Sequence, residues 1–227
     1  MYGIKSIFDK IVEKYNEARK DLRFDGEYLN YFAALVGEVN SMDIDVDRVK
    51  KIRRSLSEKT SWHSSFRGGG LYIVSVLLSI DEKGYENKII KLVRKEAQLV
   101  SMGFREGSYL ALASYILEET ENDDAVYLFN DLFKKIKKSN FTITCEEDYP
   151  VIALMVAKGT CHETIEKRYK ECFNLYTGLN VKSSNVTQDI VNMSLVYNYD
   201  FKTDESIIGV RIERQFAVLY PIFFRKR

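Results

Sequence analysis

The feature that most constrains the fold is a segment that recurs about every forty residues. Each copy starts at a bulky apolar residue, continues through a short polar stretch and ends in about ten mostly apolar residues. The copies start at Phe24, Phe66, Phe104, Phe141 and, more weakly, Val181, at intervals of 42, 38, 37 and 40 residues. A repeat of this length is typical of helix pairs that stack into a solenoid.

A different kind of segment precedes the copies. In the first one, apolar residues recur at steps of three and four: Ile4, Ile7, Phe8, Ile11, Val12 and Tyr15. The same spacing returns at residues 128–136 and 165–176, and it is typical of a helix with one buried face. Each unit is therefore predicted to be an amphipathic outer helix, a turn, and a short inner helix that is apolar on most sides. Only neighbouring units can cover such an inner helix.

We therefore predict an all-α fold in which helical hairpins of about 40 residues stack as an α/α superhelix. Residues 1–227 are expected to form a single domain. The hairpin units are expected at approximately 2–40, 45–82, 86–120, 123–159 and 162–198, followed by a terminal helix at 205–224. Thr144 and Glu147 have the spacing of a capping box in front of the fourth inner helix.

The composition argues against some classes of partner and location. Lys plus Arg is 34 and Asp plus Glu is 33, so the chain offers no overall attraction to nucleic acid or to an anionic membrane. The amino terminus lacks the apolar segment of a signal peptide, and no apolar run approaches the ~20 residues of a membrane span. Three cysteines without CxxC spacing suit the reduced thiols of a cytoplasmic protein.

Three stretches carry a resemblance to a known family. They are "FRGGGLYIVSVLL", "MGFREGSYLALASYIL" and "EEDYPVIALMVAKG". With their mutual spacing, they resemble the bacterial "domain of unknown function 4003" proteins, found mainly in Bacillota, and the resemblance covers roughly Tyr15 to Gly178. It implies a helical cytoplasmic protein of unknown activity, with no catalytic or binding residues to carry over.

The stretch "SSFRGGGLY" is the strongest candidate for a ligand site. Its glycines, Gly68, Gly69 and Gly70, are predicted to begin a helix, where free amides and the helix dipole attract anions, and Arg67 stands beside them. A phosphate-binding Walker loop would need a preceding strand and a following Lys–Ser/Thr pair, and both are missing. The alternative, which we favour, is a turn whose glycines let two helices approach closely.

The repeat extends this candidate along one edge of the array. The residues after each starting position are Asp25, Arg67, Arg105, Thr142 and Lys182, and stacking in register would line them up. Trp62 is near this row, and Asp148 lies in the equivalent loop of the fourth unit. The candidate ligand-binding residues are therefore Trp62, Arg67, Gly68, Gly69, Arg105 and Asp148. Such a row could hold a peptide or a small polar ligand, or it could consist of solvated turn and capping residues.

Nothing in the sequence predicts catalytic or metal chemistry. Cys161 and His162 are adjacent, but paired zinc ligands at the usual spacing are absent, and Cys172 falls on an apolar helix stripe. We expect no cofactor and no metal. The basic residues of the outer helices are interleaved with acidic ones and read as solvated faces: Arg48, Lys50, Lys51, Arg53, Arg54, Lys88, Lys91, Arg94 and Lys95.

The function expected from these features is a non-catalytic binding or scaffold module for a protein or peptide. The first alternative is an enzyme or sensor that binds a small anionic or phosphorylated ligand near Arg67 and the three glycines. The second is a regulator associated with nucleic acid, which the balanced charge argues against. No membrane partner is expected.

Overall fold

The computed structural model describes residues 4–22, 26–81, 84–120, 122–139, 144–159 and 163–178, together with residues 188, 191, 192 and 194–196. Within them all regular structure is helical, which confirms the all-α prediction for this part of the chain. The helices are α1 (Ile4–Asp21), α2 (Glu27–Val39), α3 (Val46–Lys59), α4 (Gly68–Ser79), α5 (Tyr85–Ser101), α6 (Ser108–Glu119), α7 (Ala125–Ser139), α8 (Tyr149–Ala157) and α9 (Ile165–Gly178). A short 3-10 helix, Glu146–Asp148, leads into α8.

The chain divides into two compact units, Met1–Glu118 and Glu119–Arg227. Two α-helices correspond to each of the first four predicted hairpin intervals, with α5 beginning one residue ahead of its interval. The starting residues Phe24, Phe141 and Val181 and the predicted terminal helix lie outside the described residues. The arrangement of all hairpins as one continuous array stays a prediction.

In the first unit, the first two predicted outer helices pack against the inner helices that follow them, and contacts also reach the next pair. Helix α1 packs against α2 and α3 against α4, while α2 also contacts α4 and α3 contacts α5. The buried cluster around α3 and α4 consists of Ile52, Leu56, Phe66, Val74, Leu78, Ile89, Leu92 and Ala111. Phe66 and Phe104, which mark two of the repeats, are both buried. The marker residue therefore fills space in the core, directly before the inner helix begins.

The ends of these helices follow from local chemistry. Asp45 caps α3 by accepting a hydrogen bond from the Arg48 N–H at 2.9 Å. Helix α5 ends at Ser101, and Gly103, with a φ of +92°, reverses the chain after it. The Phe104 N–H then donates to the Leu99 carbonyl at 3.2 Å, and the Phe104 side chain is buried.

The second unit has the same outer and inner pattern. Helix α7 packs against α8 and α9. It buries Phe129, Leu132 and Ile136, which are spaced by three and four residues, and α9 buries Ile165, Tyr169 and Cys172 in the same way. No helix in the described part of the chain is long and apolar enough to cross a membrane.

Candidate functional site

A buried carboxylate holds the loop between α3 and α4, residues 60–67, which we call the α3–α4 loop. Glu96 of α5 is only 5% exposed. Its two oxygens accept from the Ser64 hydroxyl at 2.8 and 3.0 Å, and Oε1 also accepts from the Ser65 N–H. Hydrogen bonds to an ionised acceptor are among the stronger ones in proteins. The loop is therefore fixed to the helix that follows in the next hairpin.

A second bond connects this loop to the α5–α6 loop, residues 102–107. The Ser65 hydroxyl accepts from the Gly107 N–H at 3.1 Å. Ser65 is buried and Gly107 is exposed, so this bond is partly shielded from water. The α3–α4 and α5–α6 loops, which form the predicted edge of the first unit, are thus joined by a hydrogen bond from a backbone N–H to a side-chain hydroxyl. Arg105 lies on the α5–α6 loop and is exposed.

The guanidinium of Arg67 covers the carboxyl end of α3. Its Nη2 donates to the carbonyl oxygens of Ser57 at 2.8 Å and Thr60 at 2.6 Å, and its Nε donates to the carbonyl of Ser61 at 3.0 Å. The last carbonyls of a helix have no partner within the helix, so a cation there satisfies them and opposes the helix dipole. Arg67 is thus a helix cap and a clamp on the α3–α4 loop.

The glycines that follow Arg67 lie where two helix amino termini meet. A Cβ on Gly69 would come 2.9 Å from the Ser108 hydroxyl oxygen. A Cβ on Gly70 would come 2.9 Å from the Ala111 Cβ and closer still to the Ser65 carbonyl oxygen. Gly68 has a φ of +51°. These contacts are those of a turn that lets α4 approach α6, and the anion site at Arg67, Gly68 and Gly69 stays a prediction.

Trp62 is a large exposed side chain on this otherwise fixed loop. Its side chain is 77% exposed, and its ring lies 3.7 Å, centroid to centroid, from the ring of His63. The residues on either side of the pair are both held, since the Ser61 carbonyl binds Arg67 and the Ser64 hydroxyl binds Glu96. The Trp62–His63 pair is therefore an aromatic surface on a pre-positioned backbone.

Asp148 belongs to the second unit, where it ends the 3-10 helix in front of α8, and its side chain is buried. Its Oδ2 accepts from the Cys145 N–H at 2.9 Å and its Oδ1 from Asn192 Nδ2 at 2.8 Å. Burial raises the pKa of Asp148, while hydrogen bonds from Cys145, Gln188 and Asn192 act in the opposite direction. Asp148 and Cys145 form a reciprocal capping box, one residue later than the predicted pair of Thr144 and Glu147. The sequence rule expects Ser or Thr at this cap and does not look for Cys.

Many of the basic side chains of the outer helices bind neighbouring helices. Arg53 donates to the Ser75 hydroxyl at 3.1 Å and lies 4.5 Å over the Tyr72 ring. Lys91 and Lys95 lie 3.4 and 3.6 Å from the buried carboxylate of Glu118. Two more cations contact the turn after α4, since Lys88 pairs with the Asp81 carboxylate and Arg48 donates to the Asp81 carbonyl. The helical spacing that predicted solvated faces cannot reveal these partners.

The described residues offer no metal cluster and no activated thiol. No three His, Cys, Asp or Glu side chains come together there as metal ligands would. Cys172 is buried, and burial raises its thiol pKa to about 12, so the reactive thiolate is scarce at neutral pH. Cys161 and His162 lie outside the described residues.

The family model described as "Protein of unknown function (DUF4003)" matches residues 14–206. The chain belongs to the DUF4003 family. The match includes the α3–α4 loop, Glu96 and Asp148, so the features described above lie within the region that defines this family. Neither the curated proteins nor the solved structures contained a match to the chain.

Proposed function

We propose that this DUF4003 protein is a non-catalytic binding module that holds a protein or peptide partner at the α3–α4 loop. Trp62 is the main anchor of the interaction. The observation that carries the proposal is the contrast within this loop, where a 77% exposed tryptophan sits on a backbone fixed by Glu96 and Arg67.

The energetic case rests on pre-organisation. Binding is opposed by the entropy lost when loops and side chains become ordered, and a loop that is already fixed loses less. Tryptophan is enriched among the few interface residues that supply most of the binding energy. Its large ring has two rotatable side-chain bonds and gains much from burial against a partner. A rigid loop with one exposed tryptophan is thus well suited to bind a polypeptide.

The stacked-hairpin architecture is part of the same proposal. It is supported by the contacts of α2 with α4 and of α3 with α5, which join one outer–inner pair to the next. In such an array the α3–α4 and α5–α6 loops are consecutive positions on one edge, and the Ser65–Gly107 bond joins them. Arg105 would then extend the partner surface beyond Trp62. Repeat proteins commonly bind along extended surfaces of this kind.

We also propose that the protein acts in the cytoplasm, where its thiols stay reduced.

A small anion is the second candidate ligand, because the amino termini of α4 and α6 meet at Gly69 and Ser108. Two converging helix dipoles favour negative charge. The test is thermal unfolding with inorganic phosphate, nucleotides and phosphosugars, comparing the ligand-induced shift in wild type and Arg67→Ala. A shift found in wild type and lost in the variant would put the anion ahead of the peptide. No shift with any of these compounds would remove this candidate.

The peptide proposal is tested by photo-crosslinking in cells that produce the protein. A photoreactive phenylalanine analogue replaces Trp62, and in two control proteins it replaces Tyr28 or Tyr127, which are similarly exposed at 59% and 60%. We expect a discrete adduct from position 62 that neither control forms. Absence of an adduct at 62, or the same adducts from all three positions, would contradict the proposal.

A further inference from the structure

The second unit contains a buried polar cluster that the proposed function does not use. It consists of Asp148, Gln188 and Asn192, with exposed fractions of 5%, 2% and 0%. Residues 188 and 192 are both in helical conformation and four positions apart in the chain. Their two amides lie close to the carboxylate of Asp148, which accepts from Asn192 and from the Cys145 N–H at the start of the 3-10 helix before α8.

The hydrogen bonds of this cluster are incomplete. Asn192 donates through Nδ2 to Asp148, but its Oδ1 has no hydrogen-bond partner among the described residues. Gln188 lies close enough to Asp148 to lower the pKa of that carboxyl, yet neither its Nε2 nor its Oε1 completes a hydrogen bond of good geometry. Buried amide oxygens without a partner are costly, so native proteins nearly always supply one.

Within the described part of the chain, no positive charge pairs with this cluster. The hydrogen bonds that Asp148 accepts there come from neutral N–H groups, those of Cys145 and Asn192, and the amide of Gln188 lies close by. The carboxylate of Glu147 adds negative potential. A buried carboxylate is stable when it is paired with a positive charge or is protonated. The cluster therefore combines one negative charge with surplus oxygen acceptors.

We propose that Asp148, Gln188 and Asn192 form a binding site for a small monovalent cation such as Na⁺ or K⁺. Carboxylate and amide oxygens are the ligands that hard cations prefer. One carboxylate matches a single positive charge, whereas divalent sites usually draw on more than one. The cation would take the two unpartnered amide oxygens and an Asp148 oxygen, and it would join Gln188 and Asn192 to the start of α8.

The test is thermal unfolding of the whole protein at fixed ionic strength, with choline exchanged stepwise for Na⁺ or for K⁺. Choline is too large for a buried site of this kind. We expect the midpoint temperature of unfolding to increase with cation concentration and then level off. The increase should be about 3 to 6 °C when the cation is at about ten times its Kd. Equal midpoints in choline, Na⁺ and K⁺ would overturn the proposal and leave a bridging water or a proton as the occupant. A rise produced by Ca²⁺ and by neither monovalent ion would also overturn it.

Two variants separate a cation site from a general salt effect. Gln188→Met removes an amide oxygen while keeping the side chain's length and bulk, and Asp148→Asn removes the charge. Both are expected to lose the cation-dependent rise, whatever their midpoint in choline. The matched control is Glu171→Gln, an exposed acid of α9 in the same unit, which should keep the full rise. An undiminished rise in both site variants would show that the cation binds elsewhere.

Discussion

The carboxylate of Glu96, on α5, lies 2.8 and 3.0 Å from the hydroxyl of Ser64, thirty-two residues earlier in the chain. This bond makes the position of the α3–α4 loop depend on a helix of the next hairpin. The same carboxylate accepts from the Ser65 N–H, and the Ser65 hydroxyl accepts from Gly107. The surface around Trp62 is therefore determined by tertiary contacts of its loop and is coupled to the stability of the unit.

Substitution of Glu96 should destabilise the first unit. Glu96→Ala leaves the buried Ser64 hydroxyl and Ser65 N–H without their acceptor, and each lost charge-assisted bond costs about 1.5–3 kcal/mol. Urea unfolding monitored by circular dichroism measures the loss. Glu58→Ala, which removes an exposed acid of α3, is the control and should change stability by less than about 0.5 kcal/mol. Equal effects of the two variants would mean that the Glu96 network does not hold the loop.

Arg67 should not be replaceable by lysine. Arg67→Ala removes three hydrogen bonds to carbonyls at the end of α3, and we expect a loss of about 1–3 kcal/mol. Arg67→Lys keeps the charge but lacks the planar fork that reaches several carbonyls at once, so it should recover less than half of the loss. If Arg67→Lys recovers all of the lost stability in urea unfolding, the positive charge at position 67 matters and the fork of hydrogen bonds to the α3 carbonyls does not.

At Gly70, packing and helix propensity predict opposite effects of an alanine substitution on the stability of the protein. In an open helix, Gly→Ala stabilises by about 1 kcal/mol. At Gly70 the added methyl group would press on the Ser65 carbonyl and on Ala111, so we expect Gly70→Ala to destabilise by about 1–3 kcal/mol. Gly84→Ala is the steric control: Gly84 is the N-cap of α5, its nearest atom is a Glu86 carboxylate oxygen at 3.6 Å, and only a capping loss of about 0.5 kcal/mol is expected there. A gain in stability at position 70 would rule out the close approach of α4 and α6.

Asp148 should make the stability of the second unit depend on pH in an unusual direction. Because burial raises its folded-state pKa, the folded protein holds this proton more tightly than the unfolded chain does. The contribution of Asp148 to stability is therefore greatest below its ordinary pKa of about 4 and falls as the pH rises through the raised value. In choline buffer, the stability of Asp148→Asn relative to wild type should increase with pH from about 4 towards neutrality. A difference that stays constant over this range would contradict the raised pKa.

The helices and their buried stripes could be predicted because they depend on local spacing. Leu132 and Ile136 in α7, and Ile165 and Tyr169 in α9, lie on the faces that the three- and four-residue steps predicted, and all are buried. The marker residues Phe66 and Phe104 were visible for the same reason, since each begins a repeat. Local spacing is sufficient for such positions because a helix face is defined within one segment.

The site depends on contacts between segments, which local spacing does not contain. Glu96 is one of the acids interleaved with the basic residues of the outer helices, and only its packing against Ser64 reveals a structural role. The sequence suggested a turn or an anion site at Arg67 but not its cap on α3, because the carbonyls it binds belong to the end of the preceding helix. The partners of Asp148 lie up to 44 residues away. A possible signal for Glu96 was its spacing of four and three residues from the apolar positions Leu92 and Leu99.

The most direct test of the account uses the fluorescence of Trp62, which is the single tryptophan of the chain. The partner peptide recovered by photo-crosslinking at position 62 is titrated into wild type and into Glu96→Ala at a temperature where both are folded. We predict that Trp62 emission moves to shorter wavelength and saturates in wild type, and that Glu96→Ala binds at least about tenfold more weakly, equivalent to about 1.4 kcal/mol. If Trp62 emission stays unchanged at saturating peptide, Trp62 is not the anchor. If wild type and Glu96→Ala bind the peptide with equal affinity, the α3–α4 loop is not pre-organised for binding.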